Sequence, residues 1–85
     1  MKVVINIENA GLKKNRMLSG ISQRELAEKT GISIRTIQEW ERGSRDLNGA
    51  KFVCLLQMCN ALGCSLEAIL TDPDTLEELR IYKDE

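Results

Sequence analysis

Histidine is absent from this chain of 85 residues. With it go the commonest general base and the commonest metal ligand. One proline and three aromatic residues are too few for an all-β sandwich with its many turns. No apolar run approaches the roughly 20 residues needed to cross a bilayer. The first residues lack the basic, apolar and small-residue segments of a secretory leader, so the expected compartment is the cytoplasm. Cysteine is scarce and odd in number. Cys54, Cys59 and Cys64 stand five residues apart, and no Cys-x-x-Cys pair exists. Neither a zinc knuckle nor a thioredoxin-like motif fits this spacing. The three read as small apolar side chains in a reducing compartment. No metal and no cofactor is expected, and without an activated nucleophile the chain does not read as an enzyme.

The composition that remains, 42% hydrophobic and 29% charged, is ordinary for one small domain. The net charge of −1 argues at first against a nucleic-acid partner. Its distribution does not. Residues 11–51 carry nine Lys and Arg against five Asp and Glu, a local charge of +4. Residues 52–85 carry two against seven, a local charge of −5. A basic middle with an acidic tail can still present one positive face.

Helix starts and stops are legible along the chain. Residues 1–7 are rich in β-branched side chains and read as a short strand or arm. A first helix is expected from about Asn9 to Leu18, closed by Ser19-Gly20. Ser22-Gln-Arg-Glu25 is a capping box, with Ile21 and Leu26 as its hydrophobic staple, so a second helix begins at Gln23 and stops at Thr30-Gly31. Ser33 caps a third helix, with Ile32 and Ile37 as staple, and Gly43 ends it. After a loop over 43–49, residues 50–62 read as a fourth helix with Phe52, Leu55, Leu56, Cys59 and Leu62 on one face. Ser65 caps a short fifth helix, broken at Asp72-Pro73. One or two further helical turns can follow, with Asp74 and Glu77 as a second capping box. Three regions result: an arm over 1–8 that can be β and dimer-forming, a domain over 9–71 and an acidic tail over 72–85. The expected core is Leu12, Leu18, Ile21, Leu26, Ala27, Ile32, Ile37, Trp40, Leu55, Leu56, Cys59, Leu62, Leu66, Ile69 and Leu70.

Two short helices joined by a Gly-containing turn of three residues describe a helix-turn-helix. Ala27 must be small where the helices approach. Gly31 supplies a positive φ. Ile37 fills the wedge between the helices. At about 100° per residue, Ile37, Trp40 and Glu41 of the third helix point inward, and Arg35, Gln38, Glu39 and Arg42 point outward.

The segment Ile21-Ser-Gln-Arg-Glu-Leu-Ala-Glu-Lys-Thr-Gly-Ile-Ser-Ile-Arg-Thr-Ile-Gln-Glu-Trp-Glu-Arg-Gly43 resembles the Cro/lambda-repressor-type helix-turn-helix, also called the Xre family. Leu62-Gly-Cys-Ser-Leu-Glu-Ala-Ile-Leu70 resembles the closing helix of that family. The likeness covers residues 10–71. It implies an all-α, five-helix lambda-repressor-like DNA-binding domain, here with a short N-terminal β arm, that binds double-stranded operator DNA, commonly as a dimer.

The resemblance assigns roles residue by residue. Gln23 and the N-terminus of its helix meet a DNA phosphate. The third helix lies in the major groove. There Arg35 can bond guanine O6 and N7, and Gln38 can bond adenine N6 and N7. Glu39 can accept from cytosine N4 or can orient Arg35 or Arg42. Ile34 can touch a thymine methyl or sit at the rim of the core. Ser33 stands beside a phosphate or base, though capping alone accounts for it. Arg42, Ser44 and Arg45 follow the phosphate backbone, with Lys13 and Lys14 as weaker candidates. Arg16 and Glu41 match a family ion pair that ties the first helix to the third. The expected function is a sequence-specific transcriptional regulator, a repressor acting as a homodimer built through the arm or through the Leu76, Leu79, Ile81 and Tyr82 tail. The alternative is an antitoxin that uses the same fold to hold a toxin partner. No membrane role is expected.

Overall fold

The computed structural model describes residues 11–84. The expected β arm, and the expected helix start at Asn9, lie outside those residues. Six α-helices follow one another among the described residues: α1 Leu12–Ser19, α2 Gln23–Thr30, α3 Ile34–Arg42, α4 Phe52–Leu62, α5 Leu66–Ile69 and α6 Pro73–Lys83. A 3-10 turn, Leu47–Gly49, bridges α3 and α4. The first five helices form the all-α arrangement that the resemblance implies.

Local chemistry explains the boundaries. The Ser22 hydroxyl accepts from the Glu25 amide at 3.0 Å, and the Ser22 amide donates back to Glu25 Oε1 at 2.8 Å. This reciprocal cap satisfies two amides that a helix start otherwise leaves unpaired. Ser33 caps α3 by accepting from Arg35 and Thr36. Ser65 stands at the N-cap of α5 but its side chain makes no cap bond there. The tail helix is longer than one or two turns, and its cap is Asp72, whose carboxylate accepts from the Thr75 amide at 2.9 Å, rather than Asp74. Pro73 therefore sits at the first helical position, where its missing N–H costs nothing, and starts a helix instead of only ending one. The fourth helix begins at Phe52, two residues later than expected, because 47–49 take up the 3-10 turn.

Leu12, Leu26, Ile37, Leu55, Met58, Cys59, Leu62, Ile69 and Leu70 form the core. Ile21, Ala27, Ile32, Trp40 and Leu66 pack against it, half-buried. Two expected core residues are exposed. Leu18, at 71% exposure, lies about 120° around α1 from buried Leu12. Leu56 faces outward from α4, and so does Phe52. That helix, Phe-Val-Cys-Leu-Leu-Gln-Met-Cys-Asn-Ala-Leu, is apolar nearly all round, so its pattern does not define one face. Packing selects the stripe Leu55, Met58, Cys59 and Leu62, and Met58, absent from the expected core, is fully buried.

Polar ties close the bundle. Asn15 donates to the carbonyls of Gly11 and Ala68 at 2.9 Å, joining α1 to α5. Ser19 Oγ donates to Leu62 O at 2.9 Å, joining α1 to α4. Asn48 Oδ1 accepts from the amides of Thr71 and Asp72 at 3.1 Å, pinning the 3-10 turn to the start of α6. Held from both sides, α2 packs against α3 and α4, and the outer face of α3 stays open.

Candidate nucleic-acid interface

The turn between α2 and α3 is built from Gly31, Ile32 and Ser33. Gly31 has φ 75°, a left-handed conformation that a side chain makes costly, and its amide donates to Ala27 O at 2.8 Å. Buried Thr30 reinforces the turn: its hydroxyl donates to Leu26 O at 2.7 Å and accepts from the Ile32 amide at 3.2 Å. In the sequence, threonine at a helix end reads only as a stop signal; its role as a pin depends on burial.

Ile37 is completely buried and wedges α3 against α2. Trp40 is half-buried beside the core, and its buried indole N–H has no partner among the described residues. Opposite them, Ile34, Arg35 and Arg42 are exposed, while Gln38 and Glu39 are half-covered. A helix with one buried apolar edge and a polar outer face is what a groove-reading element requires.

Beneath this face lies a polar network. Arg16 Nε donates to Glu41 Oε2 at 2.7 Å, and Arg16 Nη2 donates to Glu41 Oε1 at 3.1 Å. The two side chains are 12% and 3% exposed. Arg16 Nη1 also donates to Ile21 O at 2.8 Å, so one guanidinium ties α1 to α3 and to the entry of α2. The hydrogen bonds to Glu41 favour the charged guanidinium and raise its pKa, against the opposing effect of desolvation. Gln23 Nε2 donates to Glu41 Oε1 at 2.9 Å, and Gln38 Nε2 donates to Gln23 Oε1 at 3.3 Å. Gln23 and Gln38 are thereby brought together at the start of α2. They line an open groove of about 370 Å³ with Lys13, Glu41 and Arg42.

Beyond α3 the chain folds back. Ser44 and Arg45 donate their amides to Glu39 O at 3.0 and 3.3 Å, and Ser44 Oγ donates to the same oxygen at 3.3 Å. Arg45 Nη2 lies 2.7 Å from Glu39 Oε1, and Arg35 Nε lies 3.5 Å from Glu39 Oε2. The Arg45 hydrogen bond, more than any other influence, holds the Glu39 carboxyl below its usual range. Glu39 is thus paired with Arg45 and Arg35; it makes no ion pair with Arg42 among the described residues. The Ser33 hydroxyl is engaged in the cap.

Lys13 and Lys14 of α1 border the same surface. Both line a second depression, of about 460 Å³, together with Trp40, Gly43 and Arg45, and Lys13 also borders the Gln23 groove. Only packing of α1 against α3 brings Lys13 to the groove that Arg42 lines and both lysines to the depression that Arg45 lines, and sequence spacing carries no sign of it. No group of metal-ligating side chains occurs among the described residues. None of the described helices is long and apolar enough to cross a membrane.

A capped two-helix turn with a buried wedge, and a second helix whose polar outer face exposes Arg35 and Arg42, defines a helix-turn-helix domain of the DNA-binding class. Residues 12–69 match the family described as Helix-turn-helix, and the chain belongs to that family, in its Cro/lambda-repressor-like, Xre-type branch. As such it is a DNA-binding transcription regulator. No curated protein and no solved structure matches the chain.

Proposed function

We propose that the protein is a repressor that binds operator DNA through the major groove as a homodimer, in the cytoplasm. The observation that carries this reading is the open outer face of α3, where Arg35 is 85% exposed while Ile37 on the opposite side is sealed in the core. In this reading Ile34, Arg35, Gln38 and Glu39 form the base-facing group. Gln23, Ser33, Arg42, Ser44 and Arg45 form the phosphate-facing group, with Lys13 and Lys14 added because both line a depression with Arg45 and Lys13 lines a groove with Arg42. Bound phosphate at the α2 N-terminus gains from the helix dipole and from the Gln23 amide. The region over 9–71 is the DNA-binding unit.

Dimerisation is supported by exposed apolar side chains away from α3. Phe52 and Val53 on α4 and Ile81 and Tyr82 on α6 are open. Leu76 and Leu79 are half-covered, with Leu76 packed on the core, so the tail offers Ile81 and Tyr82 rather than a full stripe. A two-fold dimer sets two copies of α3 about one DNA turn apart.

The test is selection of bound duplexes from a random pool, with binding measured against salt. A palindromic consensus and a binding constant that falls steeply with salt are expected. An absence of any enriched sequence removes the specific-regulator reading. A chain that sediments as a monomer, at concentrations well above those that saturate DNA, removes the dimer. Copurification of a neighbouring toxic protein that covers α3 favours the antitoxin instead.

A further inference from the structure

We infer that Glu39 is a positioning residue that joins Arg35 and Arg45 into a single base-reading unit, so that Arg45 contributes to sequence preference and not only to phosphate affinity. This rests on the reading of α3 as the major-groove helix.

Four observations carry it. First, each oxygen of one carboxylate faces a different arginine: Arg45 Nε and Nη2 approach Oε1 at 2.8 and 2.7 Å, and Arg35 Nε forms a longer ion pair with Oε2 at 3.5 Å. Second, Arg45 is fastened to α3 by its backbone as well, through the amides of Ser44 and Arg45 on Glu39 O. Its guanidinium therefore belongs to the recognition helix, not to the loop that leads away from it. Third, Glu39 is only 20% exposed, and Oε1 already has two Arg45 nitrogens against it, which leaves Oε2, the oxygen beside Arg35, as the one open to a base. Fourth, the contact to Arg35 uses Nε and leaves both terminal nitrogens free. That pair of donors matches guanine O6 and N7.

The physical role is orientation rather than stability. Exposed ion pairs contribute little to folding. A side chain held in its bound direction, however, loses less entropy on binding. The carboxylate also carries a negative charge into a surface meant for phosphates. It weakens contact with any duplex that does not offer the two arginines their base edges. Glu39 thus lowers general affinity and raises discrimination, which a phosphate contact alone cannot provide because phosphates carry no sequence information.

The experiment compares the wild-type protein, Glu39→Ala and Arg45→Lys by duplex selection and by salt titration on random DNA, with thermal melts to confirm folding. The expected result for Glu39→Ala is a loss of about tenfold in preference at the Arg35 guanine, within the range of one bidentate contact. Affinity for random DNA should rise together with it, and the salt slope should steepen by about one phosphate. Arg45→Lys keeps the charge but not the fork. It should show the same loss of preference without the rise in random-DNA affinity. If Arg45→Lys keeps the wild-type base profile, the coupling is wrong. It is equally overturned if Glu39→Ala erases preference for a cytosine and spares the guanine, or leaves the profile intact. Should Glu39→Ala fail to fold, the Arg45→Lys profile decides alone. A wild-type protein without salt-dependent retention on DNA overturns the functional reading itself, and this is seen before any variant is made.

Discussion

Gln23 hands its side-chain N–H to Glu41 across 2.9 Å, and this sets which way the Gln23 amide faces. An ionised carboxylate can only accept, so the Gln23 carbonyl must turn the other way, and there it accepts from Gln38. The direction of two carboxamides at the DNA-facing surface thus follows from one charge beneath them.

Replacing Gln23 with Leu should leave the fold intact but remove a hydrogen bond to a charged group. The expected cost is about 1.5–3 kcal/mol in a denaturant melt. DNA binding should weaken on all sequences as the phosphate contact goes, with an added loss of preference at the base that Gln38 reads. A variant that melts like the wild type shows that Arg16 alone satisfies Glu41.

Arg16 and Glu41 should behave as a unit. Arg16→Met strands a nearly buried carboxylate, and a loss of about 3–5 kcal/mol is expected. Arg16→Met combined with Glu41→Leu should recover most of that stability, because two apolar side chains of similar size need no solvation. A double-mutant cycle on thermal or urea unfolding reads the coupling. Additive losses in the cycle contradict the pairing energy assigned to this site.

Arg35 and Arg42 should separate in kind. Arg35→Ala is expected to relax preference at one base pair by about 1–3 kcal/mol, and Arg42→Ala to weaken binding uniformly and lower the salt slope by about one. Competition between cognate and scrambled duplexes at two salt concentrations distinguishes the two.

Stability should be flat between about pH 6 and 7, because the chain has no histidine. Burial, foremost, pushes the Cys59 thiol up to about 12, well beyond that window. Below it the carboxylates decide. Glu39 is held low by Arg45, Glu67 by Lys83, Asp72 by the Thr75 hydroxyl and Glu77 by Arg80. Each is depressed in the folded chain, so the stability it adds is present in full above the unfolded values, 3.8 for Asp72 and 4.5 for the glutamates. It is lost as pH falls through the lower folded values. Urea midpoints should therefore hold constant down to about pH 5 and decline below about 4.5. A maximum at about pH 4 runs against this sign.

Much of the architecture is legible because it is written in local chemistry. Ser22 with Glu25, Ser33 with Arg35 and Thr36, and the glycines at 31 and 43 mark helix ends by hydrogen bonds and backbone angles that involve only near neighbours. The helical periodicity of α3 separates its buried wedge, Ile37, from its open face. Legibility fails where local pattern is ambiguous. The fourth helix is apolar on several sides, so nothing in its own sequence selects Met58 over Leu56. Asp72 and Asp74 both precede helix formers, but Pro73 at the first helical position is a local signal that marks Asp72 as the cap, and its contact with Thr75 spans only three residues.

What the amino-acid sequence determines by itself is the turn from α2 to α3 and the residue types on the outer face of α3, since capping, staple contacts and the need for glycine at position 31 are satisfied between Ile21 and Gly43. What only the tertiary structure decides is which of those outer groups act together. Gln38 meets Gln23, Arg45 meets Glu39, and Lys13 comes beside Arg42. The first depends on how α2 crosses α3, and the other two on how α1 and the loop after α3 pack on the helix-turn-helix. That packing reflects burial summed over the whole core, which no short stretch of chain contains.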